Sequence, residues 1–225
     1  MHEALRDIPD RILNYAMGAL TQANHHAVFF DPGNEHWGFM SVVNTAHAGE
    51  LFLKAIIAKA HPLLIFKDFF SLDSGQQNMD FNELVRRGKT HDFDKLPKVL
   101  WAATGERIPN IEIFNDLRET RNAIQHFCAS ENDTRFRRLS LDFIYSVIDP
   151  LINKHFDLHA IEFHEDHSVG YDHVVGCLLR HEIRFSVPED FEIHEIDLHE
   201  ELKGASAEYK NWFANEMAKC SGISL

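Results

Sequence analysis

The 225-residue sequence predicts a mainly α protein, an antiparallel bundle of four to five helices followed by a small α/β appendage. Three observations carry that expectation. Apolar residues recur at helical spacing in four long segments between residues 1 and 155. Proline- and glycine-bearing turns separate those segments. Beyond residue 155 the pattern switches to short alternating runs. A chain that is 44% apolar is able to bury a core of this size.

The first helix is expected over Glu3–His25, with Ile8, Ile12, Leu13, Tyr15, Ala16 and Leu20 on its apolar face, and Asp31-Pro32-Gly33-Asn34 breaks it. The second runs from Trp37 to His61 and stops before Pro62. It is apolar around most of its circumference, which implies burial. Within it Glu50 and Lys54 are spaced i,i+4, an ordinary surface pair in most helices. In so apolar a setting the carboxylate needs a partner, and Arg121 is the one expected.

Residues 63–109 are less regular. Leu63-Leu64-Ile65-Phe66 is a short apolar run, Leu72–Asp80 is turn-rich, and short helices are expected over Asn82–Arg87 and Leu96–Ala103. Gly105 and Pro109 frame the entry to a third long helix, Ile111–Phe127. Its wheel places Ile113, Leu117, Ile124 and Phe127 on one stripe and Arg118, Arg121, Asn122, Gln125 and His126 on the opposite arc. The turn Ser130–Thr134 leads to a fourth helix, Arg135–Asp149, which Pro150 should kink or restart.

Arg121-Asn122-Ala123-Ile124-Gln125-His126 carries the functional signal. A histidine titrates near neutrality and can move protons, and a guanidinium grips a phosphate in a planar fork. Two such helices meeting across a two-fold axis would bring two of each into one cleft, a set suited to cleaving RNA without a metal. The stretch resembles the R-polar-x3-H motif of the HEPN-domain ribonucleases, and the Glu50-bearing helix is similar to the early HEPN helix whose acidic residue orients the motif arginine. The resemblance covers roughly residues 1–155.

That resemblance implies a HEPN bundle over 1–155 and a metal-independent endoribonuclease acting as a homodimer. Arg121, Asn122 and His126 would be catalytic, Glu50 and Lys54 supporting, with no cofactor. It further implies 5′-hydroxyl and 2′,3′-cyclic phosphate or 3′-phosphate product ends, a toxin or antiviral-defence setting, and a controlling antitoxin or activator. The alternative is a non-catalytic HEPN interaction module that binds a protein or nucleotide partner.

Charge distribution bears on an RNA substrate. The formal net charge is −13, yet residues 1–155 hold 17 Lys and Arg against 20 Asp and Glu, whereas 156–203 hold 3 against 13. The acidity therefore belongs to the later segment. Arg118, Arg135, Arg137 and Arg138 lie around the motif helix and offer phosphate contacts; the bland reading of Arg135-Phe136-Arg137-Arg138 is a solvated first turn of the next helix.

The appendage, 156–225, is expected to hold a helix over Tyr171–Arg180, strands over Glu182–Val187 and Phe191–His194, and a terminal helix over Ala205–Cys220. Its histidines, with His155, His159, His164 and His167 beside Glu165 and Asp166, raise the competing reading of a divalent-metal site. Their spacing fits no zinc signature, and the expectation is no metal. Three widely spaced cysteines, Cys128, Cys177 and Cys220, imply no disulfide framework. No run of 18 apolar residues exists and Met1-His2-Glu3 opens no secretory signal, so a cytoplasmic protein without a membrane anchor is expected.

Overall fold

The computed structural model describes residues 1–29, 31, 33–34, 36–67, 81–126, 133–164 and 170–220. The protein is mainly helical. Its helices are α1 (Glu3–Arg6), α2 (Ile8–Val28), α3 (Trp37–Ala60), α4 (Phe81–Arg87), α5 (Leu96–Thr104), α6 (Ile111–His126), α7 (Asp133–Phe143), α8 (Asp149–Phe156), α9 (Asp172–Arg180), α10 (Leu198–Glu201) and α11 (Ala207–Met217). None of them is long and apolar enough to cross a membrane.

The chain forms two compact units. The first holds Met1–Met17 and His47–Ile108, and the second Gly18–Ala46 and Pro109–Leu225. The long helices α2 and α3 each supply one half to either unit. The boundary expected at 155/156 does not coincide with this division, since 156–220 belongs with 109–155.

In the first unit the expected helix over Glu3–His25 is two helices, because the chain turns at Asp7 and Pro9 sits in the first turn of α2, where its missing N–H costs nothing. Phe52 to Ala58 of α3 are buried without interruption, as the all-round apolar pattern requires. Lys54 lies among them at 8% exposure, ion-paired with Glu50 at 2.5 Å and donating to Thr90 at 2.9 Å. A 3₁₀ turn, Pro62–Ile65, follows, and an isolated antiparallel bridge joins Phe66 to Thr90. Helix α5 ends on Gly105 at φ 76, whose N–H bonds Trp101 O at 2.8 Å, a left-handed stop that glycine adopts without strain. The turn-rich Leu72–Asp80 lies outside the described residues, as do Phe127, most of the expected turn Ser130–Thr134, and part of the Asp31–Asn34 break.

Gly88 closes α4 under tight steric limits. A Cβ there would sit 2.5 Å from the Leu84 carbonyl oxygen and 2.7 Å from the Phe66 ring. Gly88→Ala is therefore expected to destabilise the protein by about 1–3 kcal/mol, the usual cost of overpacking, read as a lower urea midpoint at unchanged slope.

In the second unit the expected helix Arg135–Asp149 is continuous in path but changes pitch. Residues Ile144–Ile148 form a π turn in which Asp149 N–H bonds Ile144 O, and α8 begins beside Pro150. Proline cannot donate and its ring crowds the carbonyl four residues back, so the helix widens before it instead of breaking. Ile144, Tyr145, Val147 and Ile148 are all buried by that turn.

The two strands expected over Glu182–Val187 and Phe191–His194 are absent, and among the described residues there is no β-strand; the expectation of an α/β appendage is corrected accordingly. The segments are extended, but side chains take their amide donors. Ser186 N–H bonds Asp149 Oδ2 at 2.6 Å, Glu192 N–H bonds the Tyr171 hydroxyl, and His194 and Glu195 N–H both reach Asp172 Oδ1. Phe185 packs edge-on against Trp212, Tyr171 stacks on Phe191, and the Tyr209 hydroxyl donates to Ile183 O at 2.6 Å. Ser206 caps α11, accepting from Tyr209 N–H while its own hydroxyl donates to Glu182. Ser206→Ala is expected to cost about 1 kcal/mol, seen as a melting temperature a few degrees lower.

Candidate active site

Helix α6 starts from Asn110, whose φ of 48 is tolerable for asparagine and whose side-chain amide donates to Ser146 O at 3.1 Å. Phe114, Leu117 and Thr120 form its buried ridge, and the Phe114 ring meets Phe143 at 6.1 Å between centroids. The polar arc read from the wheel divides here. Arg118 and Arg121 are half-buried, whereas Asn122, Gln125 and His126 are exposed. The cause is register: Arg121 stands four residues after Leu117 and seven after Phe114, so its aliphatic stem follows the buried ridge.

Arg121 Nη1 donates to the side-chain oxygen of its neighbour Asn122 at 3.3 Å, a long hydrogen bond. Its guanidinium has no ion pair among the described residues. His126 lies in the last turn of the same helix and is exposed.

The four other arginines proposed for RNA are engaged. Arg118 Nη2 pairs with Glu119 at 2.9 Å, although its Nε is buried without a partner. Arg135 lies 3.6 Å from Asp116. Arg137 donates to the Ala27 and Val28 carbonyl oxygens at 3.1 and 2.8 Å, closing the C-terminus of α2. Arg138 grips Asp142 and donates to His181 O. Glu50, expected beside Arg121, is taken up by Lys54 within the first unit, and Arg121 turns to Asn122.

A buried polar cluster escaped the sequence reading. Asp149 is 2% exposed and accepts Ala160 N–H at 2.8 Å, Ser186 N–H at 2.6 Å and the Ser186 hydroxyl at 2.8 Å. Burial pushes its carboxyl up to about 6 against the opposing pull of those hydrogen bonds and of His159. The Ser186 hydroxyl lies 2.9 Å from His159 Nδ1. Beside this, the Tyr145 hydroxyl donates to Asn24, whose amide donates to Ala160 O and Phe163 O. The serine proton points at a carboxylate and not at the imidazole, so the arrangement is a clamp on residues 158–164 and 183–187, unlike a nucleophile activated by a base. An aspartate before a proline in an apolar helix was the available signal.

Among the described residues no three His, Cys, Asp or Glu side chains converge as metal ligands, while Glu165, Asp166 and His167 lie outside them. Cys177 and Cys220 are buried and free, and Cys128 falls outside the described residues. No family model, curated protein or solved structure matches the chain.

Proposed function

We propose that the protein is a HEPN-type, metal-independent endoribonuclease whose active site forms between two copies of the chain. One observation carries the reading: Arg121 has no carboxylate partner among the described residues, is held by Asn122, and stands five residues before an exposed histidine on the same helix. Arg121 and His126 are separated by about 140° around the helix axis and about 7.5 Å along it. One helix therefore cannot easily bring both onto a single phosphate, and a two-fold copy supplies the missing group. In that composite site His126 moves protons at the 2′-hydroxyl or the leaving oxygen, Arg121 holds the phosphate, and Asn122 sets the guanidinium's direction. A toxin or antiviral-defence setting with a controlling antitoxin or activator belongs to the same proposal, as does a cytoplasmic site of action.

The competing reading is a non-catalytic HEPN module, favoured by the intramolecular pairing of Arg118, Arg135 and Arg138, which takes up the charge of three arginines around the motif helix. RNA cleavage in EDTA by the wild-type protein and by the Arg121 and His126 variants separates the two. Cleavage that yields cyclic-phosphate ends and is lost in both variants supports the enzyme; no cleavage by an intact wild-type dimer favours the module.

A further inference from the structure

The first unit contains a cavity of about 260 Å³. Ile12, Leu51, Ile65 and Phe66 supply apolar walls, and Tyr15 and Val85 stand at it with exposures of 61% and 41%. Ordinary small-molecule sites are apolar clefts of roughly 300–1,000 Å³ with a few placed polar groups; at about 260 Å³ this one lies just below that range and suits only a small ligand. Its polar groups have one sign of unmet demand. Lys54, nine-tenths buried, lines the cavity and spends two of its three N–H donors on Glu50 and Thr90, leaving one. Arg11, exposed on α2 four residues before Tyr15, lines the same cavity, and its guanidinium makes no hydrogen bond or ion pair among the described residues. Gly88 is also in the wall, where any side chain would collide with Leu84 and Phe66.

An apolar cavity with spare cationic donors and no unsatisfied acid calls for a ligand with an apolar body and one anionic end. We propose that this cavity binds a small amphipathic monocarboxylate, a medium-chain fatty acid or an aryl-alkanoate, with its hydrocarbon against Ile12, Leu51 and Phe66 and its carboxylate drawn to Arg11 or Lys54. A neutral ligand of the same shape would fill the walls and leave both donors unanswered. A cationic one would be repelled by Arg11, the charge of Lys54 being already paired with Glu50. The proposal does not depend on the ribonuclease reading.

Calorimetric titration of the full chain with octanoate, 1-octanol and octylamine tests it. Octanoate is expected to bind saturably and about tenfold more tightly than octanol, with octylamine weakest. Arg11→Gln, an exposed change that leaves the core intact, is expected to weaken octanoate about fivefold and leave octanol unchanged, while Val85→Trp weakens both by blocking the cavity. Circular dichroism of each unliganded variant confirms that it is folded. Equal affinities for octanoate and octanol, or octanoate binding unmoved by both substitutions in folded protein, would overturn the assignment.

Discussion

Asp149→Ala is expected to lower the stability of the protein by about 3 kcal/mol at neutral pH, measured by urea unfolding. The substitution removes the acceptor for two main-chain N–H groups, those of Ala160 and Ser186, and for the Ser186 hydroxyl. Each orphaned buried donor costs about 1–3 kcal/mol. The removed carboxylate partly offsets this, because a buried charge is itself expensive. The two segments it clamps, 158–164 and 183–187, should gain amide hydrogen exchange before the rest of the second unit does.

The same residue gives the stability a pH dependence with a defined sign. Its folded-state pKa of about 6 lies above the ordinary aspartate value of 3.8, since burial disfavours the charged form. The native state thus binds the proton more tightly than the unfolded chain. The contribution is most favourable below about pH 4, falls between roughly pH 4 and 6, and is lost above, a total change of about 3 kcal/mol. Other carboxylates titrate in this window too, so Asp149→Asn isolates the effect. The asparagine keeps an acceptor for Ala160 and the Ser186 hydroxyl but does not titrate. The stability advantage of wild type over Asp149→Asn should shrink as pH rises from 4 to 7; a difference that stays constant would remove Asp149 as the titrating group.

The helices were legible because their signals are local. Proline at the start of α2 and α5, glycine after α5, and apolar spacing along α3 and α6 all act within one or two turns. The error in the last third has the opposite cause. Ile183 and Phe185 are buried and Arg184 is exposed, so the alternation read from the sequence is real. Alternation reports an extended chain facing a core on one side; it does not report who accepts the hydrogen bonds. Here the acceptors are Asp149, Asp172 and Tyr171, the first of them 37 residues distant from Ser186. Such pairings carry no periodic signature. The candidate site shows the same division: the motif is a local string, but the burial of Arg121 along the Phe114–Leu117 ridge and the capture of Arg137 by the end of α2 depend on which helices pack together.

His126→Ala is expected to reduce RNA cleavage by about 10²–10⁴-fold, the range over which a positioned general acid or base accelerates proton transfer. Arg121→Ala should lose about 10²–10³-fold through the charge stabilisation it supplies at the phosphate. The change at the exposed His126 should cost little stability, so circular dichroism and melting of that variant should match wild type. Arg121→Lys discriminates further, because an ammonium restores charge without the planar fork; activity well below wild type is the expected result. Asn122→Ala frees the guanidinium from its 3.3 Å hydrogen bond and should lower turnover more than it weakens RNA binding. The two-fold arrangement makes a separate demand. A variant made monomeric by a charge at the exposed Gln125 should be inactive although Arg121 and His126 are both present. Full cleavage by such a monomer would show that one helix suffices, and the separation of about 140° between the two side chains would then have to be closed by groups outside α6.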